Sequence, residues 1–212
     1  MTTETVKVWD IAVRVFHWSL VLFFFIAYVS GEEAGIAHEY SSYAVLALVG
    51  FRIVWGLVGT KYARFSNFIY SPKTTRAYLV SMLKLKPKHY IGHNPAGGWM
   101  TITLLVFLLL TVWTGLEAYA AEGKGLLAKI DMPIISIAMA NGDDRDHDGG
   151  KNGNEFWEEA HEVLSHFTLF LVIVHILGVL VSSAIQRENL VRAMITGKKK
   201  KPAELLSDQE DT

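Results

Sequence analysis

Polar residues in this chain fall into blocks. Four long apolar stretches alternate with segments crowded with charge, and they run from about Ile11 to Ser30, His38 to Gly59, Gly98 to Ala118 and Glu159 to Ile185. Each approaches the roughly 20 residues that carry a helix across roughly 30 Å of hydrocarbon. The third includes Leu104-Leu105-Val106-Phe107-Leu108-Leu109-Leu110 and has no polar stripe to turn toward water. That argues against four buried helices of a soluble bundle. The pattern predicts an all-α protein, a four-helix transmembrane bundle over residues 1–200, with a polar and disordered tail over 201–212.

The charges between the spans orient them. From Thr60 to Gly98 lie Lys61, Arg64, Lys73, Arg76, Lys84, Lys86 and Lys88 with no acid, and Arg187, Arg192 and Lys198 to Lys201 follow the last span. The first connection instead holds Glu32, Glu33 and Glu39, and Glu117 to Glu159 holds ten acids against four bases. Basic loops stay inside, so both termini and the middle loop are expected in the cytoplasm of a bacterial inner membrane. The acidic loop over 119–158 is expected in the periplasm. No small-residue cleavage site follows the first apolar run, which reads as an uncleaved anchor. Within the basic loop, Ser71-Pro72 is a helix-start signal. Ala77, Leu79, Val80, Met82 and Leu83 follow among basic residues, as in a short helix on an anionic membrane surface or in a solvated loop.

Composition agrees with a membrane protein. Of 212 residues, 51% are hydrophobic and 19% charged, below the usual level of about 25%. The net charge of −1 provides no electrostatic footprint for nucleic acid. With no cysteine, a disulfide framework, a thiolate zinc site, an iron–sulfur cluster and a covalently attached haem are all excluded. Histidine, with eight copies, is the remaining soft-metal ligand in quantity.

Ionisable residues inside spans are rare and usually functional. His17 lies toward the inner end of the first span and His38 at the outer end of the second. His161 and His175 share the fourth. Fourteen residues are about 3.9 helical turns, so His161 and His175 leave nearly the same face about 21 Å apart. His17 thus matches His175 in depth, and His38 matches His161. Each pair suits the two axial positions of one haem iron, held between facing helices. Iron with both axial positions filled carries electrons and does not readily bind oxygen. A lone span histidine is more often a packed, hydrogen-bonded residue; two pairs at two depths are harder to explain that way. His166 points about 140° away from His161, and His89 and His147 lie in loops. Arg14 stands one turn before His17 and Arg52 fourteen residues after His38, placed to pair haem propionates or to reach inner-leaflet phosphates.

Several stretches together resemble the prokaryotic cytochrome b561 family: Trp9-Asp10, Arg14-Val15-Phe16-His17-Trp18, the His38 to Arg52 spacing with Trp55-Gly56, Gly92-His93-Asn94-Pro95, Thr114-Gly115, and Trp157-Glu158-Glu159-Ala160-His161-Glu162 followed by His175. That family includes the cytochrome b subunits of membrane-bound nickel–iron hydrogenases and a superoxide oxidase type. The resemblance covers about residues 6–197. It implies two b haems ligated by His17, His38, His161 and His175, and electron transfer between quinone and a redox partner.

The acidic stretch from Asn141 to Glu155 departs from the family pattern. Asp144, Asp146, Asp148, Gly149, Gly150 and Glu155 fit D-x-D-x-D-G-x5-E, a calcium loop in which Gly150 offers its carbonyl and Asn152 a water-linked position. Lys151 at position eight, and the lack of a clear preceding helix, count against it. The alternative is a solvated acidic surface that steers a basic partner.

The function expected is therefore a di-haem electron relay between the quinone pool of a respiratory chain and a periplasmic or membrane partner, a c-type cytochrome or a hydrogenase. No catalytic residue is assigned. A quinone head group is expected near the inner haem at His93 and Asn94, although Asn94 before Pro95 also reads as a helix cap. The alternatives are a superoxide oxidase that reduces quinone, disfavoured by the acidic outer loops, and a metal-ion transporter using the span histidines.

Overall fold

The computed structural model describes residues 5–32, 35–85, 88–125 and 149–200. Four helices are long and apolar enough to cross a membrane: α1 (Ile11–Val29), α2 (Ile36–Val58), α4 (Pro95–Ala121) and α5 (Gly149–Gln186). Between α2 and α4 lie a 3-10 turn at Phe65–Asn67 and α3 (Pro72–Leu83), and α6 (Leu190–Thr196) follows α5. Strands β1 (Thr5–Lys7) and β2 (Lys198–Lys200) pair antiparallel. The chain forms two compact units, Met1–Leu104 with Val172–Thr212, and Leu105–Leu171.

Helix starts follow from short polar side chains. Asp10, Ser71, Asn94 and Asn189 accept hydrogen bonds from the backbone N–H groups of Val13, Thr74, Gly97 and Arg192, three residues on, and Pro72 and Pro95 open two of these helices. Each cap satisfies a donor that the helix itself leaves open. The expected spans match α1 and α2 within two residues, but α4 and α5 extend beyond them. The apolar windows end where Glu158 and Glu159 begin, whereas α5 already runs at Gly149. The expected helix in the basic loop is α3, with Tyr78 buried and Leu79, Val80 and Leu83 exposed.

In the first unit α1 packs along α2. A core forms at the basic ends of these helices, from Val8, Trp9, Val13, Ala63 and Ala193 with Trp55, Tyr62, Ile91 and Met194 against it. The C-terminal segment closes this core. Gly197 sits at φ 78°, and a side chain there would also come within 2.6 Å of the Trp9 carbonyl. Only glycine meets both demands without strain. The Gly197 carbonyl accepts from Val8 N–H at 2.8 Å and Trp9 N–H at 3.1 Å. Pairing then continues as Lys7 with Lys198, Val6 with Lys199 and Thr5 with Lys200. Lys198 to Lys200, read from sequence only as inner-surface charge, are thus part of the fold.

Asp10 joins three elements of this unit. Besides capping α1, its carboxylate accepts from Trp55 Nε1 at 3.2 Å and from the Thr60 hydroxyl. Burial alone would raise its pKa, but bonds from Thr60, Val13, Trp55 and Ala12 outweigh that and hold it below the ordinary 3.8. Its stabilisation is therefore complete above pH 3.8 and is lost as pH falls through the depressed folded-state value. Asp10→Ala should cost about 1–2 kcal/mol from the cap alone. Thermal melts of detergent-solubilised protein should show a lower melting temperature at neutral pH and a weaker acid dependence than the parent.

Candidate functional site

Each span histidine is partly buried, and each ring is held differently. His38 Nδ1 lies 2.8 Å from the Ala27 carbonyl on α1. His161 Nδ1 lies 2.9 Å from the Thr111 carbonyl on α4. A carbonyl only accepts, so in both rings Nδ1 carries the proton and Nε2 carries the lone pair a metal needs. Carbonyl bonds of this type fix the tautomer and angle of metal-binding histidines. His166 contrasts with these, because its Nδ1 turns back to Glu162 on its own helix and the ring is exposed.

The seat of His161 is built within the second unit. Thr111 Oγ1 meets Thr168 Oγ1 at 2.9 Å, and Phe107 packs on Phe167 with centroids 4.7 Å apart. A Cβ on Gly115 would lie 2.8 Å from His161 Cε1 and 3.0 Å from Nδ1, so the ring needs glycine there. From sequence, Gly115 stands out only within the stretch Thr114-Gly115, and the contact of Thr111 with Thr168, 57 residues apart, carries no local signal.

In the first unit α1 and α5 bring His17 within electrostatic reach of His175. His17 Nδ1 is buried and has no hydrogen-bond partner among the described residues. Arg52 is 2% exposed. Its guanidinium carbon stands 4.8 Å from the Phe65 ring centre and 5.9 Å from that of Phe68, while Nη1 is buried without a partner. Among the described residues it makes no ion pair. A buried cation held only by aromatic faces pays a large desolvation cost, which an anionic group offsets. Arg14 is partly committed, since Nη2 donates to the Ile195 carbonyl near the end of α6; its Nε is buried without a partner. These residues fit a haem, with imidazole nitrogens for the iron and, for a propionate, a buried guanidinium that feels the Asp10 carboxylate without a close ion pair.

His93 lies beyond the span, in the segment before α4. Trp9 meets its ring edge-on at 4.6 Å, and Phe68 stands 4.2 Å away on a tilted approach. Burial first, and then the charges of Arg52, Lys199 and His175, push its pKa down to about 3, so it is neutral at physiological pH. Its buried Nδ1 has no hydrogen-bond partner among the described residues. His93 lines a cavity of about 280 Å³ with Tyr62, Phe68, Tyr70, His89 and Tyr90. Asn94 does not line that cavity. Its side chain caps α4, accepting from Gly97 N–H at 2.7 Å.

Asp144, Asp146, Asp148 and His147 lie outside the described residues. Gly150 and Glu155 lie within α5, and Glu155 is exposed. Among the described residues, no three histidine or acidic side chains cluster as a metal site. Haem iron takes one or two ligands from the protein, so this excludes only a conventional side-chain cage there.

Helices of membrane-crossing length with oriented imidazoles on several of them suit a membrane-bound b-type cytochrome. The chain belongs to the prokaryotic cytochrome b561 family, whose sequence profile matches residues 8–197. It is 24% identical to a probable Ni/Fe-hydrogenase B-type cytochrome subunit of Rhodobacter capsulatus, over 91% of this chain and 80% of that protein. The proteins of the same description from Bradyrhizobium diazoefficiens and Cupriavidus necator are 23% and 24% identical, over 92% and 90% of this chain and 86% and 85% of theirs. No solved structure matches the chain. The protein is thus a multi-pass membrane b-type cytochrome of electron transfer, with haem b as its cofactor.

Gly115→Ala places a methyl against the His161 ring and should lower the haem bound per protein. Pyridine haemochrome assay of the purified variant measures this, and parental haem content would show that His161 is not a ligand.

Proposed function

We propose that this cytochrome carries two b haems and passes electrons between membrane quinone and a redox partner outside the cytoplasm. His17 and His175 hold one iron at the basic ends of the spans. His38 and His161 hold the other toward the acidic ends. The observation that carries the reading is the pair of carbonyl bonds that aim His38 and His161 from neighbouring helices. Bound haem supplies a one-electron carrier. The four imidazoles would hold the irons, and Arg52 would offset the charge of a propionate. By the inside preference of basic loops, the His17 and His175 level faces the cytoplasm.

Quinone takes the aromatic cavity beside His93, whose neutral ring offers a hydrogen bond to a head-group oxygen. The hydrogenase subunits among the relatives support a hydrogenase as the partner. A c-type cytochrome is the other partner that suits an acidic outer loop, since basic proteins are steered to it.

Haem quantification of four alanine variants tests the assignment. His17→Ala and His175→Ala should each remove the same haem, and His38→Ala and His161→Ala the other. Loss of one and the same haem in His17→Ala and His38→Ala would break the pairing.

The proposal extends to the acidic loop, where Asp144, Asp146 and Asp148, the Gly150 carbonyl and Glu155 hold calcium ahead of the helix bearing His161. Binding requires Gly149 and Gly150 to leave the helical conformation. Two adjacent glycines make that cheap, as glycine is a poor helix former by about 1 kcal/mol. Millimolar calcium should give binding heat in calorimetry and raise the melting temperature, and chelation should reverse the rise. Neither effect would leave the loop as a solvated acidic surface.

A further inference from the structure

Three consecutive lysines occupy β2, and their chemistry is identical while their positions are not. Side chains of a strand alternate between faces. Lys198 is exposed, and Lys199 is 6% exposed. The buried ammonium makes two contacts. It stands 3.3 Å from Glu188 Oε2, and it donates to the Tyr90 carbonyl at 3.2 Å. The Tyr90 contact crosses 109 residues of sequence to reach the wall of the cavity beside His93. Lys199 is also one of the cations whose field acts on His93. A second tie runs in parallel, because the Gly197 carbonyl fixes Trp9 N–H and the Trp9 ring packs edge-on against His93.

We propose that Lys199 is a positioning residue for the quinone pocket, setting the cavity wall at Tyr90 and through it the placement of His93. The C-terminal strand holds this lysine because β1 supplies its pairing partner, and Glu188 pairs with the buried ammonium. The segment from Lys88 to His93 contains no helix or strand of its own. Its conformation depends on outside contacts, and the ammonium–carbonyl bond, a charged one, is among the stronger kinds. This inference rests on the quinone reading above.

The test uses the full chain, purified with its haem in detergent. Dithionite-reduced protein is mixed with a short-chain benzoquinone, and haem re-oxidation is followed against quinone concentration. Two electrons from the protein and two protons from water convert each quinone to quinol. Lys199→Met should raise the half-saturating quinone concentration roughly ten-fold, as expected for losing a charged hydrogen bond, with the saturating rate changed less than about two-fold. Lys199→Arg, which retains charge and donors, should recover most of the affinity. Hydrogen–deuterium exchange provides a second readout that does not involve turnover, and peptides covering 88–93 should exchange faster in Lys199→Met at unchanged haem absorbance.

An unchanged half-saturating concentration, or unchanged exchange over 88–93, overturns the proposal. So does loss of haem or a collapse in melting temperature, which would make Lys199 a general fold residue. His93→Ala separates this failure from that of the quinone reading. If re-oxidation slows in His93→Ala but Lys199→Met behaves as the parent, only the role of Lys199 falls. If His93→Ala leaves re-oxidation unchanged, the quinone site itself is wrong.

Discussion

A histidine offers a lone pair to iron at Nε2 only when Nδ1 keeps the proton, and in an apolar helix nothing nearby enforces that choice by default. Most carbonyls of a helix are already occupied by its own N–H groups. Two carbonyls nonetheless take a ring: Ala27, near the end of α1, receives His38, and Thr111, within α4, receives His161 beside the Thr114 hydroxyl. In each case the carbonyl sits on a different helix from the ring. Tautomer, ring angle and helix spacing are thus determined together, and a shift between α4 and α5 would disturb all of them. The threonine contact at Thr111 and Thr168 and the missing side chain at Gly115 serve the same end.

Charge in the first unit follows a second constraint. Arg52 is buried against two aromatic rings with one nitrogen unpartnered. Lys199 is buried with Glu188, whose other oxygen is also unpartnered. Both cations act on His93 and keep it neutral. The basic end of the first unit therefore holds excess positive potential in a place screened from water, where it acts at longer range than on a surface. Glu188 offsets Lys199 and Asp10 acts on Arg52, and an anionic cofactor group or a reduced, electron-rich head group adds to that compensation.

Much of this was legible in the sequence, for definite reasons. Ionisable residues stand out in apolar runs, so His17, His38, His161, His175 and Arg52 are visible as exceptions. The cap at Asn94-Pro95 was also readable, and there the capping role accounts for the Asn94 side chain. The reach of α5 to Gly149 was not readable, because an apolar window stops at the first acids although a helix need not. The carbonyl partners of the rings carry no sequence signature at all. Lys199 was hidden among identical neighbours, since only strand alternation distinguishes it. The cavity was hidden because its walls come from two segments distant in sequence, around Lys61 to Tyr70 and His89 to His93, the second of them bonded to the C-terminal strand at Tyr90.

The pairing of β1 with β2 also has a consequence for biosynthesis. A ribosome makes β1 before any span, and β2 after α5 and α6. The earliest described strand must therefore wait, unpaired, until the whole membrane region has been inserted. During that interval Val8 and Trp9 lack the Gly197 carbonyl, and the wall at Tyr90 lacks its lysine. The His93 region is consequently most open to the surrounding solution while the protein is being built.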